Sequence, residues 1–147
     1  PDFAKFKMKS FDNDIIRLCK KRAYDLAGIS PKTVVVSLNG KKIPIKSFEN
    51  YVAMYNLGEN SLHEKINDRW EVVVAESSTG NFQQVSFVNS ICTLRGGSHV
   101  SAIADQIVKR CQEVLTKKKK AGLKPAQIKN ALFICVNCLV ENPAFDS

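Results

Sequence analysis

Two cysteines three positions apart, Cys135 and Cys138, stand in the run LFICVNCLV. A C-x-x-C pair holds a zinc ion when two more ligands lie at suitable spacing, and it does redox work when it opens a helix. Neither setting is met here. The run reads as a strand over 132 to 140, in which successive side chains alternate between faces. Leu132, Ile134, Val136, Cys138 and Val140 then share one apolar face, and Phe133, Cys135, Asn137 and Leu139 share the other. The two thiols point to opposite sides, so they cannot grip one ion or join as a disulfide without breaking the strand. The spacing therefore predicts a small core residue at Cys138, and no metal site. Cys19, Cys92 and Cys111 are scattered, and the total of five is odd, which argues for a reducing compartment over a disulfide framework.

The second chemically loaded stretch is TKKKKAGLK, with Lys117, Lys118, Lys119 and Lys120 adjacent. Net charge is +8, and six of those charges fall within residues 99 to 130, where eight Lys or Arg face only Asp105 and Glu113. Lysines at a helix C-terminus complement the helix dipole, so a solvated helix end is one reading. Four neighbouring ammonium groups exceed what capping requires, and phosphate contact would relieve their repulsion. No aromatic residue interleaves them, so base stacking is not indicated. The expected mode is contact between Lys117, Lys118, Lys119 and Lys120 and the backbone of duplex DNA.

Weaker signals complete the list of reactive types. RGGSHV, 95 to 100, sets two glycines and a Ser cap before a helix. Free N–H groups at such a start bind anions, but a capped turn needs the same residues. His63 and His99 have no sequence neighbours that would make them nucleophile partners or metal ligands. Asp12 and Asp14 read as a cap and a first-turn acid. No catalytic constellation emerges from spacing.

The elements that would position these residues follow from periodicity. Residues 12 to 27 read as a helix, with Asp12 as cap, Gly28 as closure, and Ile16, Cys19, Ala23, Leu26 and Ala27 as its apolar stripe. TVVVSL (33 to 38) and KKIPI (41 to 45) flank Asn39-Gly40, a type I′ hairpin signal. A short helix follows Ser47, and 68 to 76 and 81 to 89 read as strands around an SSTG turn. The clearest element is a helix over 99 to 116, whose stripe of Val100, Ile103, Ala104, Ile107, Val108, Cys111, Val114 and Leu115 must pack on a flat apolar surface. Pro125 starts a helical turn before the strand at 132 to 140. The order α-β-β-α-β-β-α-α-β is that of an α+β sheet with helices on one face. With 147 residues, 44% hydrophobic and 24% charged, the chain can bury a core of its own. No run approaches the ~18 apolar residues of a membrane span. The start, PDFAKFKMKS, carries neither a signal h-region nor an initiator Met, so a piece of a longer chain is expected.

Several stretches together resemble the eukaryotic type IIA DNA topoisomerases: KFKMKSFDNDIIRLCKKRAYDLAG, LNGKKIPIKSFENYV, NDRWEVVVAES, FQQVSFVNSICTLRGGSHV and VNCLVENPAFDS. GGSHV is similar to the Gly-Gly-Thr-His stretch of bacterial relatives. The resemblance implies that residues 1–28 are the last strand and helix of a GHKL ATPase domain and that 29–147 form a transducer domain. It implies an α+β fold with a mixed β-sheet, helices packed on one face and a left-handed β-α-β connection. It also implies an ATP-hydrolysing isomerase, nuclear and homodimeric, that uses ATP and magnesium in its full-length form to pass one double-stranded DNA through another. The transducer would couple ATP-driven closure to that passage. The family's basic DNA-contacting loop matches Lys117, Lys118 and Lys119, with Lys120 adjacent. A Gln-Thr-Lys motif would follow Ser147 and carry a lysine to the γ-phosphate. The chain itself is therefore expected to hold no catalytic residue, ATP-binding residue or cofactor, and to be inactive alone. A stand-alone nucleic-acid-binding α+β module without enzymatic activity is the alternative that the basic segment supports.

Overall fold

Asp12 leaves helical geometry and its Oδ1 accepts the Ile15 N–H at 2.8 Å, which starts helix α1, Asn13–Ile29. A computed structural model describes residues 1–58, 60–118 and 122–145 and divides into two compact units, Pro1–Tyr51 and Val52–Ser147. In the first unit α1 closes at Ser30, whose N–H bonds the Leu26 carbonyl at 3.1 Å. Gly28 is therefore inside the helix and does not close it. The expected stripe is only partly realised. Ala27 is buried, but Ile16 and Cys19 are exposed, and the buried face is Asp25, Ala27 and Gly28.

The strand expected before this helix is absent. Residues 3 to 7 form turns, with Met8 N–H bonded to the Phe3 carbonyl at 2.9 Å and Lys7 N–H to Ala4 at 3.1 Å. Amides that bond within their own segment are not offered to a sheet. The hairpin is present as read, but short. Strands β1 (Ser37–Leu38) and β2 (Lys41–Lys42) pair antiparallel around Asn39 (φ 51°) and Gly40 (φ 78°), the positive pair a type I′ turn demands. Helix α2, Phe48–Val52, is capped by Ser47, whose Oγ accepts the Asn50 N–H at 3.1 Å.

The second unit opens with a 3-10 turn, Ala53–Tyr55, and builds one five-stranded sheet. Its strands are β3 (Leu62–Asn67), β4 (Trp70–Glu76), β5 (Gln83–Val88), β6 (Ile91–Cys92) and β7 (Leu132–Cys138), in the spatial order β3-β4-β7-β5-β6. Strands β4 and β5 follow one another in sequence, yet β7 lies between them, antiparallel to β4 and parallel to β5. A parallel neighbour requires a crossover. Helices α3 (Ser98–Lys117) and α4 (Pro125–Asn130) supply it. Two strands went unread. β3 is exposed at every position, as an edge strand rich in charge can be. β6 is two residues long and follows a turn in which Asn89 (φ 48°) and Ser90 (φ 66°) both take positive φ.

The stripe of α3 lands where the sequence requires. Val100, Ala104, Val72, Val88, Ile134, Val136 and Cys138 form one buried cluster, with Ile103, Ile107, Trp70, Val74, Leu132 and Val140 at its margin. The centre of the opposite sheet face is buried as well. Phe87 and Cys135 have no exposed surface there, and Tyr55 meets the Phe133 ring edge-on at 6.0 Å.

Candidate nucleic-acid interface

Lys117 is the last residue of α3 and Lys118 is its C-cap, whose N–H bonds the Val114 carbonyl at 3.1 Å. Both side chains are exposed. Lys119 and Lys120 lie outside the described residues. The helix dipole places partial negative charge at this end, which holds the first two ammonium groups without partnering them. Val114 is already 38% exposed, so the stripe has left the sheet about one turn before the lysines begin. The chain returns through Gly122, at φ 52°, and α4 restarts at Pro125. Gln127 Oε1 accepts the Lys124 N–H at 2.8 Å there, and Ile128 is buried. Lys129 Nζ stands 5.4 Å from the centre of the Phe82 ring, a cation–π distance, which ties the far end of α4 to the start of β5. Lys117 and Lys118 at the end of α3 and Lys124 at the start of α4 are thus all exposed.

The other end of α3 is fastened by polar groups. Gly97 is its N-cap and makes no side-chain bond, so Ser98 is not the cap expected from RGGSHV. His99 folds back instead. Its Nε2 lies 3.1 Å from Thr93 Oγ1, and Thr93 Oγ1 lies 2.5 Å from the buried Ser86 Oγ. Ser86 also donates to Gln84 Oε1 at 2.6 Å. Burial holds the His99 imidazole below its usual pKa. A Cβ at position 97 would stand 2.9 Å from the His99 ring, and φ at that position is 153°, so glycine is required twice over. The motif is spent on joining helix to hairpin.

The cysteine pair behaves as strand geometry demands. All five cysteines are free. Cys138 faces the α3 cluster and donates to the Phe87 carbonyl at 3.5 Å, while Cys135 lies on the opposite face. Burial pushes the Cys135 thiol up to about 12 and the Cys138 thiol up to about 11, the reverse of what a metal or redox site requires. Among the described residues no group of three His, Cys, Asp or Glu is placed to hold a metal ion. His63, which has no evident partner in sequence, lies 2.7 Å from Glu71 Oε1 across the β3–β4 pair.

Two positioning features escaped sequence reading. Asn89 bonds the backbone beyond β7 twice, through Nδ2 to the Val140 carbonyl at 2.9 Å and through Oδ1 to the Val140 N–H at 2.8 Å. Arg69 accepts the Leu139 N–H at 2.8 Å through its carbonyl and pairs with Glu141 at 2.6 Å, so the chain leaves the sheet on a fixed line. The partners lie 51 residues apart for Asn89, a separation no local pattern reports. The second feature is Asp25, buried on α1 with Lys21 and Tyr51 as partners. Its one local sign was the four-residue spacing from Lys21.

A mixed sheet crossed by a long helix that carries an exposed basic end defines a class, and comparison with known proteins names it. A profile of the DNA gyrase B family matches residues 33–147, and the chain belongs to that family. Within it, the chain is homologous over its full length to eukaryotic DNA topoisomerase 2. It is 54% identical to DNA topoisomerase 2-alpha of Homo sapiens, of which it covers 10%, and 48% identical to DNA topoisomerase 2 of Saccharomyces cerevisiae, of which it covers 12%. The chain therefore spans a small part of the curated relatives it matches. Its structure superposes on the ATPase region of Saccharomyces cerevisiae topoisomerase II with a TM-score of 0.89 at 50% identity, covering 100% of this chain and 38% of that one. The ATPase and transducer domains of Balamuthia mandrillaris DNA topoisomerase II match with a TM-score of 0.82 at 42% identity, over 95% of this chain and 36% of that one. The Thermus thermophilus gyrase B ATPase domain shares the fold, with a TM-score of 0.59 at 19% identity.

Proposed function

We propose that this chain is a coupling segment of an ATP-dependent type II DNA topoisomerase, with residues 1–28 the end of its ATPase domain and 29–147 its transducer. The observation that carries this is the TM-score of 0.89 at 50% identity over the whole chain, against the ATPase region of a topoisomerase II. The physical design supports it. α3 is seated on a dry sheet and tied to the β5–β6 hairpin by His99, so sheet and helix move as one piece. Any displacement of the sheet is delivered to the lysines at the far end of α3. Lys117 and Lys118 there, with Lys119 and Lys120 next in sequence, contact the phosphates of double-stranded DNA without reading bases. ATP and magnesium serve other parts of the longer enzyme, which works as a homodimer in the nucleus. This stretch contributes transmission and makes no bonds of its own.

The test uses the full-length enzyme with a flexible Gly/Ser insert between Gly96 and Gly97, where the hairpin passes into α3. ATP hydrolysis is expected to continue while DNA relaxation is lost. Relaxation at an unchanged ATP cost contradicts the reading. A stand-alone nucleic-acid-binding module is favoured by one observation, the concentration of positive charge in 99 to 130. It predicts tight DNA binding by the isolated chain, whereas the coupling segment binds weakly by itself.

A further inference from the structure

Asp25 carries a buried carboxylate on α1. It is 2% exposed. Tyr51 Oη donates to its Oδ1 at 2.7 Å, and Lys21 Nζ donates to Oδ1 at 3.0 Å and Oδ2 at 2.8 Å. One turn further along α1, Gly28 lies directly against the Tyr51 ring. A Cβ at position 28 would stand 2.4 Å from Tyr51 Cβ and 2.6 Å from Cγ. Gly28 has ordinary helical geometry, so backbone freedom does not account for it. Glycine is a poorer helix former than alanine, and the close approach of Tyr51 accounts for its presence within the last turn of α1. Tyr51 is thus held at both ends, its ring on a missing side chain and its hydroxyl on a buried anion. Phe48 stacks beside it at 6.3 Å, with the rings 17° from parallel.

We propose that Asp25, Gly28 and Tyr51 form a mechanical lock that makes residues 31 to 51 move as one body with α1. The upstream rigid body then extends to Tyr51, past the 28/29 boundary that the resemblance implies. This inference rests on the coupling reading and adds to it the residues that transmit the motion. Two further observations agree. The compact unit that contains α1 ends at Tyr51. Directly after it α2 stops at Val52, the chain tightens into a 3-10 turn over Ala53–Tyr55, and Asn56 takes a left-handed φ of 51°. The α2 helix thus ends where the proposed lock ends. Tyr51 is a positioning residue in this scheme, remote from the chemistry.

Tyr51→Phe tests it in the full-length enzyme, because it keeps the ring on Gly28 and removes only the hydroxyl. A bond to a buried charged group is worth roughly a tenfold shift between locked and unlocked populations. The expected result is retained ATP hydrolysis with several-fold more ATP consumed per DNA strand passage, at a temperature where the fold is intact. Gly28→Ala is expected to act in the same direction and more strongly. If it fails to fold, Tyr51→Phe carries the test. A purely structural role lowers the unfolding midpoint and reduces both activities together, with their ratio unchanged, and that result overturns the lock. The Gly/Ser insert at Gly96–Gly97 serves as the control. If the insert uncouples the enzyme and Tyr51→Phe does not, the lock alone is wrong. If the insert leaves coupling intact, the coupling reading falls and takes the lock with it.

Discussion

The first half of α3 and its last turn belong to one helix and meet opposite surroundings. Val100 and Ala104 are buried on the sheet, and His99 is bonded to Thr93. Thr116, Lys117 and Lys118 are exposed, and the first of them donates back along its own helix, to the Gln112 carbonyl at 2.9 Å. The difference separates two jobs within one element. Hydrophobic burial fixes the near half, whereas among the described residues the last turn keeps only Leu115 half-buried and exposes Thr116, Lys117 and Lys118. A lever needs one end fixed and one end free to bear load.

The largest effect expected from breaking this contrast lies under the near half. Ile134→Ala removes a fully buried side chain from the centre of the cluster and should cost about 2–5 kcal/mol in chemical denaturation, whereas Lys117→Ala should stay within about 0.5 kcal/mol of the parent. Equal effects at both positions would dissolve the distinction. Thiol chemistry sharpens it next. With Cys138 pushed up to about 11 from 9.0, its thiolate population at mildly alkaline pH falls about a hundredfold, and α3 covers it besides. Alkylation should label exposed Cys19 readily and reach Cys138 only on unfolding. Fast labelling of Cys138 in the folded chain would show that α3 lifts off its seat. A smaller effect belongs to His99. Its pKa is lowered from 6.5 by burial, so the folded chain favours the neutral ring. The associated stability is complete above 6.5, is lost as pH falls below that value, and levels off once the lowered folded pKa is passed. His99→Gln should flatten the unfolding midpoint across that window, and an unflattened profile would remove His99 from the joint.

Much of this was legible because it is periodic. The stripe of α3 and the alternation of β7 each repeat over a whole element, so Ile134, Val136 and Cys138 could be placed on one face before any coordinates. Asn39-Gly40 was legible because a single turn type demands those residues. What went unread depends on partners far along the chain or on very short pairings. β3 carries Glu64 and Lys65 on an edge where burial imposes no alternation. β6 has two residues and no period at all. Gly28 looked like a helix stop, because its reason for being glycine, Tyr51, is 23 positions away. The lysine run was legible both as charge and as a helix end, but the His99–Thr93–Ser86 bonds that fasten the other end of that helix were not.

The most direct test of the central claim, that the free end of α3 meets DNA phosphates, is the salt dependence of DNA binding by the full-length enzyme with Lys117, Lys118 and Lys119 neutralised together. Each lost phosphate contact lowers the slope of log affinity against log salt by about 0.9, so the three should lower it by about 3 with no change in sequence preference. An unchanged slope would show that the lysines face only water, and would contradict the account.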